Sequence, residues 1–245
     1  MSEFKPCVLI PTYNNPATVR AVVERAREHL GDVVVVDDGS GPEARAVLDA
    51  IASEGLAHLH RRAQNGGKGA AVKDGFRAAL ALGYTHALQV DADGQHTFED
   101  IPRFLEAARE RPEALVLGQP VFDESAPKSR RAAREITRFW TNVEAGGPVI
   151  ADPMCGFRVY PLRAALASNT RGDAMDFDPE IAVRMVWAGV PVINLPTRVR
   201  YISREDGGVS HFRMVRDNAL ISWMHTRLML TRIARFFAPR REAAP

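Results

Sequence analysis

The sequence predicts an α/β domain built on a mostly parallel sheet. Three observations point there. Short apolar, largely β-branched runs alternate with segments of helical periodicity as far as about residue 120. The best of these runs are continuously apolar, as expected for strands covered on both faces. The polar motifs follow the runs directly, at what would be the carboxyl edge of the sheet, where such folds bind ligands.

Taken in order, CVLI (7–10) is the first strand and VRAVVERAREHL (19–30) the first helix. VVVV (33–36) is the second strand, followed by the helical pattern PEARAVLDAIASE (42–54). HLHR (58–61) is a weaker strand, and GAAVKDGFRAALALG (69–83) a third helix. HALQV (86–90) and ALVLG (114–118) complete the strands of this half. Strands and helices alternating in this way imply parallel neighbours joined by right-handed crossovers. Beyond residue 118 the pattern loosens. Residues 119–135 mix Pro, Ser, Lys and Arg without clear periodicity and read as a mobile loop. Residues 136–200 return to mixed α/β, with GVPVINLPTRVRYI (189–202) as one or two strands. There is no internal repeat, low-complexity tract or linker, so residues 1–212 read as one domain. Residues 213–245 follow as a basic amphipathic helical segment, packed on the domain or on a membrane surface.

Composition narrows the possibilities. With 46% hydrophobic and 25% charged residues among 245, the chain is an ordinary globular one, long enough for a single large α/β core. A net charge of +2 is too small to make nucleic acid a bulk electrostatic partner. Cys7 and Cys155 show no CxxC spacing and read as reduced thiols. No basic-then-apolar leader opens the chain, and no window approaches the roughly 18–20 apolar residues of a membrane span. The expectation is a cytoplasmic protein, with any membrane contact peripheral and at the inner face.

The motif LQVDADGQH (88–96) carries the most chemistry. Asp91 and Asp93 alternate along the backbone leaving a strand, so both carboxylates can face one crevice, with Gln95 two residues on. Two carboxylates and an amide oxygen suit a hard divalent ion, Mg²⁺ or Mn²⁺, that shares its ligands with substrate phosphates. A lone acidic pair at this place would more simply be a solvated turn, so the neighbouring motifs matter.

PTYNN (11–15) follows the first strand and brings Tyr13 toward the same edge, where a nucleobase can stack. Its asparagines and Pro16 are equally good turn formers. DDGSG (37–41) places Asp38 where a base or ribose is usually held, although a helix cap or turn is the simpler role. NGGKGAA (65–71) is a Gly-rich loop opening a helix. It is not a Walker loop, yet its amides and Lys68 favour an anion.

Downstream, DPMCGFRVYP (152–161) and DFDPEIAVRM (176–185) set Asp152, Asp178 and Glu180 before apolar segments. Asp178-Pro179-Glu180 is also a good helix start. SREDGGVSHF (203–212) carries Arg204, Ser210 and His211 on a polar, Gly-rich segment that can close over phosphates. Over 213–241 seven arginines face a single acid, Asp217, and are interleaved with Trp223, Met224, Leu228, Phe236 and Phe237. That pattern suits either a membrane-surface helix or a helix docked on the domain with a solvated basic face.

PTYNN, VVVVDDGSG, NGGKGAA, DADGQH, DPMCGF and SREDGGVS occur in one order with compatible spacing, over roughly residues 6–212. Together they resemble family 2 glycosyltransferases, in particular the dolichyl- or polyprenyl-phosphate sugar synthases. The resemblance implies a GT-A fold, a UDP- or GDP-sugar donor, a divalent metal (Mg²⁺ or Mn²⁺) and inversion at the anomeric carbon. It assigns Pro11, Tyr13 and Asp38 to the nucleoside and places Lys68 near the donor. It gives Asp91, Asp93 and Gln95 to the metal and diphosphate, and Arg204 and Ser210 to a closing loop. Asp152 with Gly156-Phe157 matches the acceptor-side motif, and Glu180 matches an acid of the following helix.

Two departures stand out. Gly118-Gln119-Pro120 replaces the usual Gly-Ser-Arg, and Lys128, Arg130, Arg131 or Arg134 are the candidates to replace the missing arginine. A basic amphipathic segment also stands where many relatives carry membrane spans.

The expected reaction is a single displacement in which the metal and Arg204 stabilise the leaving diphosphate. A lipid-linked phosphate acceptor needs no strong base. A hydroxyl acceptor, the alternative, would use Asp152, Asp178 or Glu180. A sugar-nucleotide pyrophosphorylase would begin with a GxGxRxxP motif, which PTYNN is not. A non-catalytic nucleotide-sugar-binding module would not need the acidic trio, and nucleic-acid binding lacks a docking motif.

Overall fold

A computed structural model of the protein describes residues 3–122, 128–199 and 213–237. Seven strands form one sheet: β1 Pro6–Thr12, β2 Val33–Asp37, β3 His58–Arg61, β4 His86–Gln89, β5 Leu115–Phe122, β6 Arg158–Pro161 and β7 Val192–Val199. Their order is β3-β2-β1-β4-β6-β5-β7, all parallel except β6, which runs antiparallel to both neighbours. The helices are α1 Val19–Arg27, α2 Pro42–Ser53, α3 Lys68–Ala81, α4 Ile101–Glu110, α5 Lys128–Ala145, α6 Leu162–Ala167, α7 Phe177–Trp187 and α8 Met214–Phe237.

The apolar runs become strands because helices cover both of their faces. Alternate residues of one strand serve opposite cores. Cys7, Leu9, Val34 and Val36 pack with α3, α6, α7 and α8 on one side. Val8, Ile10, Val33 and Val35 pack with α1, α2 and α4 on the other. Both cysteines are free and buried, and burial pushes the Cys155 thiol up to about 12.

One expectation needs correction. Residues 119–135 are not one loop: the strand continues through Phe122 and a helix begins at Lys128, while 123–127 lie outside the described residues. The strand persists because β7 pairs with it residue for residue, from Leu115↔Val192 to Phe122↔Val199, a partner no local pattern reveals. The helix went unread because α5 is inverted. Its buried stripe is polar (Thr137, Thr141, Glu144), and Ile136, Phe139 and Trp140 are exposed. The helix α4, with Ile101, Phe104, Leu105 and Ala108 on one buried face, was also not anticipated.

The basic segment 213–237 is a helix docked on the domain through Ile221, Met224 and Leu228. Beneath it lies a polar joint. His225 Nδ1 sits 2.8 Å from Glu144 Oε1, and burial raises the Glu144 carboxyl above its ordinary range despite that contact. Among the described residues no helix is long and apolar enough to cross a membrane.

Candidate active site

The reversed strand explains how distant motifs meet. A strand that starts at the carboxyl edge must run antiparallel, and the residues leading into it, 152–157, then lie beside the end of β4. Asn142 and Asn194 fix the approach, Asn142 pairing with both the N–H and the C=O of Ile150 and Asn194 bonding Ala151 N and Val149 O. A side-chain carbon on Gly156 would overlap the Asp91 carboxylate, so the acceptor-side motif touches the DxD motif as only glycine allows.

Asp91 follows the buried Val90, and Gly94 turns the chain with φ +72°. Lys68, the first residue of α3, places Nζ 2.8 Å from Asp91 Oδ1 and 2.9 Å from Asp178 Oδ2. Burial disfavours the ammonium, yet the charge of Asp178 and then Asp91 outweighs it and raises Lys68 above its ordinary range. Asp91 likewise overcomes burial through Lys68 and His96 and sits well below the usual carboxylate range. His96 is buried, with Nε2 3.5 Å from Asp91 Oδ2 and its ring against Phe157.

Asp93 differs. Burial, reinforced by the charge of Asp91, raises its carboxyl, and its nearest bond is the Gln95 N–H at 3.0 Å. An acid so placed, beside a second acid, is under-compensated and fits a hard divalent ion. Among the described residues no three His, Cys, Asp or Glu side chains converge as a metal cage. An ion here would therefore rest on two carboxylates and the Gln95 amide and complete its shell from substrate oxygens, as Mg²⁺ commonly does.

The nucleoside-side motifs are tied to one another. Asn14 N–H bonds Ser40 Oγ, and Gly41 N–H bonds Asn14 Oδ1, joining the loops after β1 and β2. Pro11 lies in β1 opposite Val36, and Tyr13 follows at the strand's end. The Asp38 carboxylate accepts the Gly66 and Gly67 N–H groups and pairs with Arg62, fastening the glycine-rich loop to β2.

On the acceptor side, Asp152 accepts N–H bonds from Met154 (2.8 Å) and Cys155 (2.7 Å), and Arg134 grips both of its oxygens. That contact ties Arg134 of α5 to the loop 152–157. The side chains of Lys128, Arg130 and Arg131, and Arg204 and Ser210 in full, lie outside the described residues.

Glu180 does not have the environment of a proton acceptor. Its carboxylate is fully buried and takes Gly172 N–H (2.8 Å), Arg171 N–H, Arg184 Nε (2.6 Å) and Arg227 Nη2 (3.2 Å). Burial is outweighed by Arg184 and Arg227, which hold it below its ordinary range, so it acts as a strut from α7 to α8. Asp178 is the expected acid that Lys68 links to Asp91.

Arg158, not singled out above as a site residue, is a further organiser of the site. It is fully buried in β6, opposite Gln89 of β4, and donates to Cys155 O (2.5 Å), Pro153 O (2.6 Å) and Asp178 O (2.7 Å). One guanidinium thus shapes both the loop 152–157 and the start of α7. Its signal was an arginine inside the apolar run GFRVYP, because a charge in a central strand demands partners.

The strand order, with its single reversed strand, is that of the GT-A fold. Solved structures of glucosyl-3-phosphoglycerate synthase from Mycobacterium tuberculosis share it. One in complex with Mn²⁺, UDP and phosphoglyceric acid superposes with a TM-score of 0.69, covering 100% of this chain and 82% of that one at 16% identity. The family model Glycosyl transferase family 2 matches residues 7–165, well over half of the chain, and the chain belongs to that family. It is therefore a glycosyltransferase. An undecaprenyl-phosphate mannosyltransferase of Micrococcus luteus is 29% identical over 209 residues, 81% of this chain and 84% of the relative. A polyprenol monophosphomannose synthase of Mycolicibacterium smegmatis is 38% identical over 104 residues, 41% and 39% of the two chains.

Proposed function

We propose that the protein is an inverting, metal-dependent glycosyltransferase. It moves a sugar from a UDP- or GDP-sugar to a polyprenyl-phosphate-like lipid at a membrane surface. The observation that carries the donor half is the Asp91–Asp93 pair at the sheet edge, where burial and the charge of Asp91 outweigh the His96 and Lys68 charges and raise the Asp93 carboxyl. Asp91, Asp93 and Gln95 would hold Mg²⁺ or Mn²⁺, which when bound neutralises charge on the departing nucleoside diphosphate. Pro11, Tyr13 and Asp38 border the nucleoside, Lys68 stands beside the diphosphate, and Arg204 and Ser210 belong to the closing segment.

Asp152, held by Arg134 and two backbone N–H groups, shapes the acceptor loop next to Asp91. Asp178, engaged by Lys68, is poorly placed to take a proton, and a phosphate acceptor asks for none. The relatives named for lipid-phosphate substrates favour the same acceptor over a soluble hydroxyl.

Equilibrium binding of UDP-, GDP- and dTDP-sugars with Mn²⁺ or Mg²⁺ tests the donor half. One donor is expected to bind only with metal. Asp93→Ala is expected to weaken that binding by at least ~100-fold, since even outer-shell changes at metal sites reach that size. A folded protein that binds no donor in any metal refutes the catalytic reading.

The surface supports membrane contact. Helices α5 and α8 pack together; α5 exposes Ile136, Phe139 and Trp140, and α8 exposes Leu230, Ile233, Phe236 and Phe237. Arg138 and Arg235 are exposed on the same helices. Apolar side chains bordered by arginines suit the interface of an anionic bilayer. Co-sedimentation with phosphatidylglycerol-containing vesicles is expected to fall by about tenfold in a Phe139→Glu/Phe236→Glu variant, because each apolar anchor adds to interfacial affinity. Substitution is preferable to removing α8, whose Ile221, Met224 and Leu228 belong to the core. Undiminished sedimentation shows that these two side chains are not the anchors, and wild-type protein that fails to sediment argues for a soluble acceptor.

A further inference from the structure

We infer that Lys68 is a built-in competitor for the divalent ion at Asp91, and that Asp178 weakens this competition by drawing the ammonium toward itself. The inference rests on the reading of Asp91, Asp93 and Gln95 as the metal site. Its observation is an ammonium shared almost evenly between two acids from different elements, 2.8 Å from Asp91 Oδ1 and 2.9 Å from Asp178 Oδ2.

The three groups are poorly solvated, with side-chain exposures of 26% for Asp91, 16% for Lys68 and 5% for Asp178, so their charges are weakly screened. Lys68 and Asp178 are fixed by the fold. Lys68 begins α3, whose first turn is held by the Ala70 N–H bond to Asp173 O and by Gly69 lying flat against Phe177. Asp178 begins α7, and its carbonyl is gripped by Arg158, whose Nη1 also lies 3.9 Å from Asp178 Oδ1. His96 faces the other oxygen of Asp91 at 3.5 Å. The geometry thus gives Lys68 a short path between two acceptors, 2.8 Å and 2.9 Å away.

A divalent ion reaching Asp91 repels the ammonium there, and Asp178 receives it without a new desolvation step. Metal entry then pushes a positive charge toward Asp178 and leaves that acid neutralised, on the side where the acceptor loop lies. It follows that the protein by itself holds metal weakly, and that donor oxygens are needed to hold the ion. Asp178 is then a positioning residue that acts through Lys68.

Mn²⁺ titration of the full chain without donor, read by loss of the electron paramagnetic resonance signal of free Mn²⁺, tests this. Lys68→Met is expected to bind Mn²⁺ about tenfold more tightly, within the usual range of site-to-site coupling. Asp178→Asn is expected to bind it about tenfold more weakly, because the ammonium then rests on Asp91 alone. In the Lys68→Met background Asp178→Asn is expected to change little. Unchanged or weaker Mn²⁺ binding in Lys68→Met overturns the inference. So does an Asp178→Asn effect that survives in full without Lys68, since that is simple loss of a negative charge. Asp93→Ala separates the two readings. Binding lost in Asp93→Ala but indifferent to Lys68 refutes only the competition, whereas no Mn²⁺ binding in any variant refutes the metal site and the competition with it. Should Asp178→Asn fail to fold, Lys68→Met and Lys68→Gln decide the matter alone.

Discussion

Gly156→Ala is expected to lower sugar transfer by about a hundredfold while leaving the fold in place, because misplacing a reacting group by an ångström has that order of effect. The new methyl group would occupy the volume of the Asp91 carboxylate. Gly156 does not lie in the left-handed region, so alanine is allowed by the backbone and the clash alone is tested. Asp91 is partly exposed and can swing aside, which protects stability but takes the proposed metal-site carboxylate off its Lys68 and His96 contacts. Thermal unfolding and initial rates measured on the same preparation check it. Full activity in a normally folded Gly156→Ala protein would show that Asp91 does not work where the acceptor loop touches it.

Arg158→Met is expected to destabilise the protein by ~3–5 kcal/mol, the usual result of removing one partner from a buried charged network. Three carbonyl oxygens, of Pro153, Cys155 and Asp178, lose their donor, and Asp178 loses the neighbouring guanidinium. Each orphaned group contributes ~1–3 kcal/mol of that loss. For a chain of this size the melting temperature falls by roughly 10 °C. Arg158→Lys is expected to recover only part of it, since a single ammonium cannot reproduce a planar guanidinium that serves several acceptors. Denaturant unfolding measures both. If methionine is tolerated within ~1 kcal/mol, water satisfies these carbonyls and Arg158 is not the keystone of the acceptor loop.

Both substitutions fall where the sequence was hardest to read. The strands β1 and β2 were legible because an apolar, largely β-branched run covered on both faces needs no knowledge of its neighbours. The same is true of the DxD turn and the glycine-rich start of α3, whose chemistry is written within a few residues. Arg158 and the role of Glu180 could not be read in that way. A buried charge takes its meaning from groups such as Asp178, Arg184 and Arg227, which are distant in sequence or on another helix. The inverted helix α5 misled for the same reason: periodicity says which residues share a face but not what covers that face.

By itself the sequence determined that this is an α/β protein with its polar motifs on one sheet edge, and that its acids there suit a divalent ion and a nucleotide. Residues a few positions apart on a strand end or a helix start have their relative geometry fixed by the local backbone. Only the tertiary structure decided that β6 is reversed, that Gly156 lies on Asp91, and that Lys68 stands between Asp91 and Asp178. It likewise decided that Glu180 is a strut and that α5 packs against α8. These are contacts between segments far apart in the chain, and their geometry is set by strand order and close packing, which no local pattern encodes.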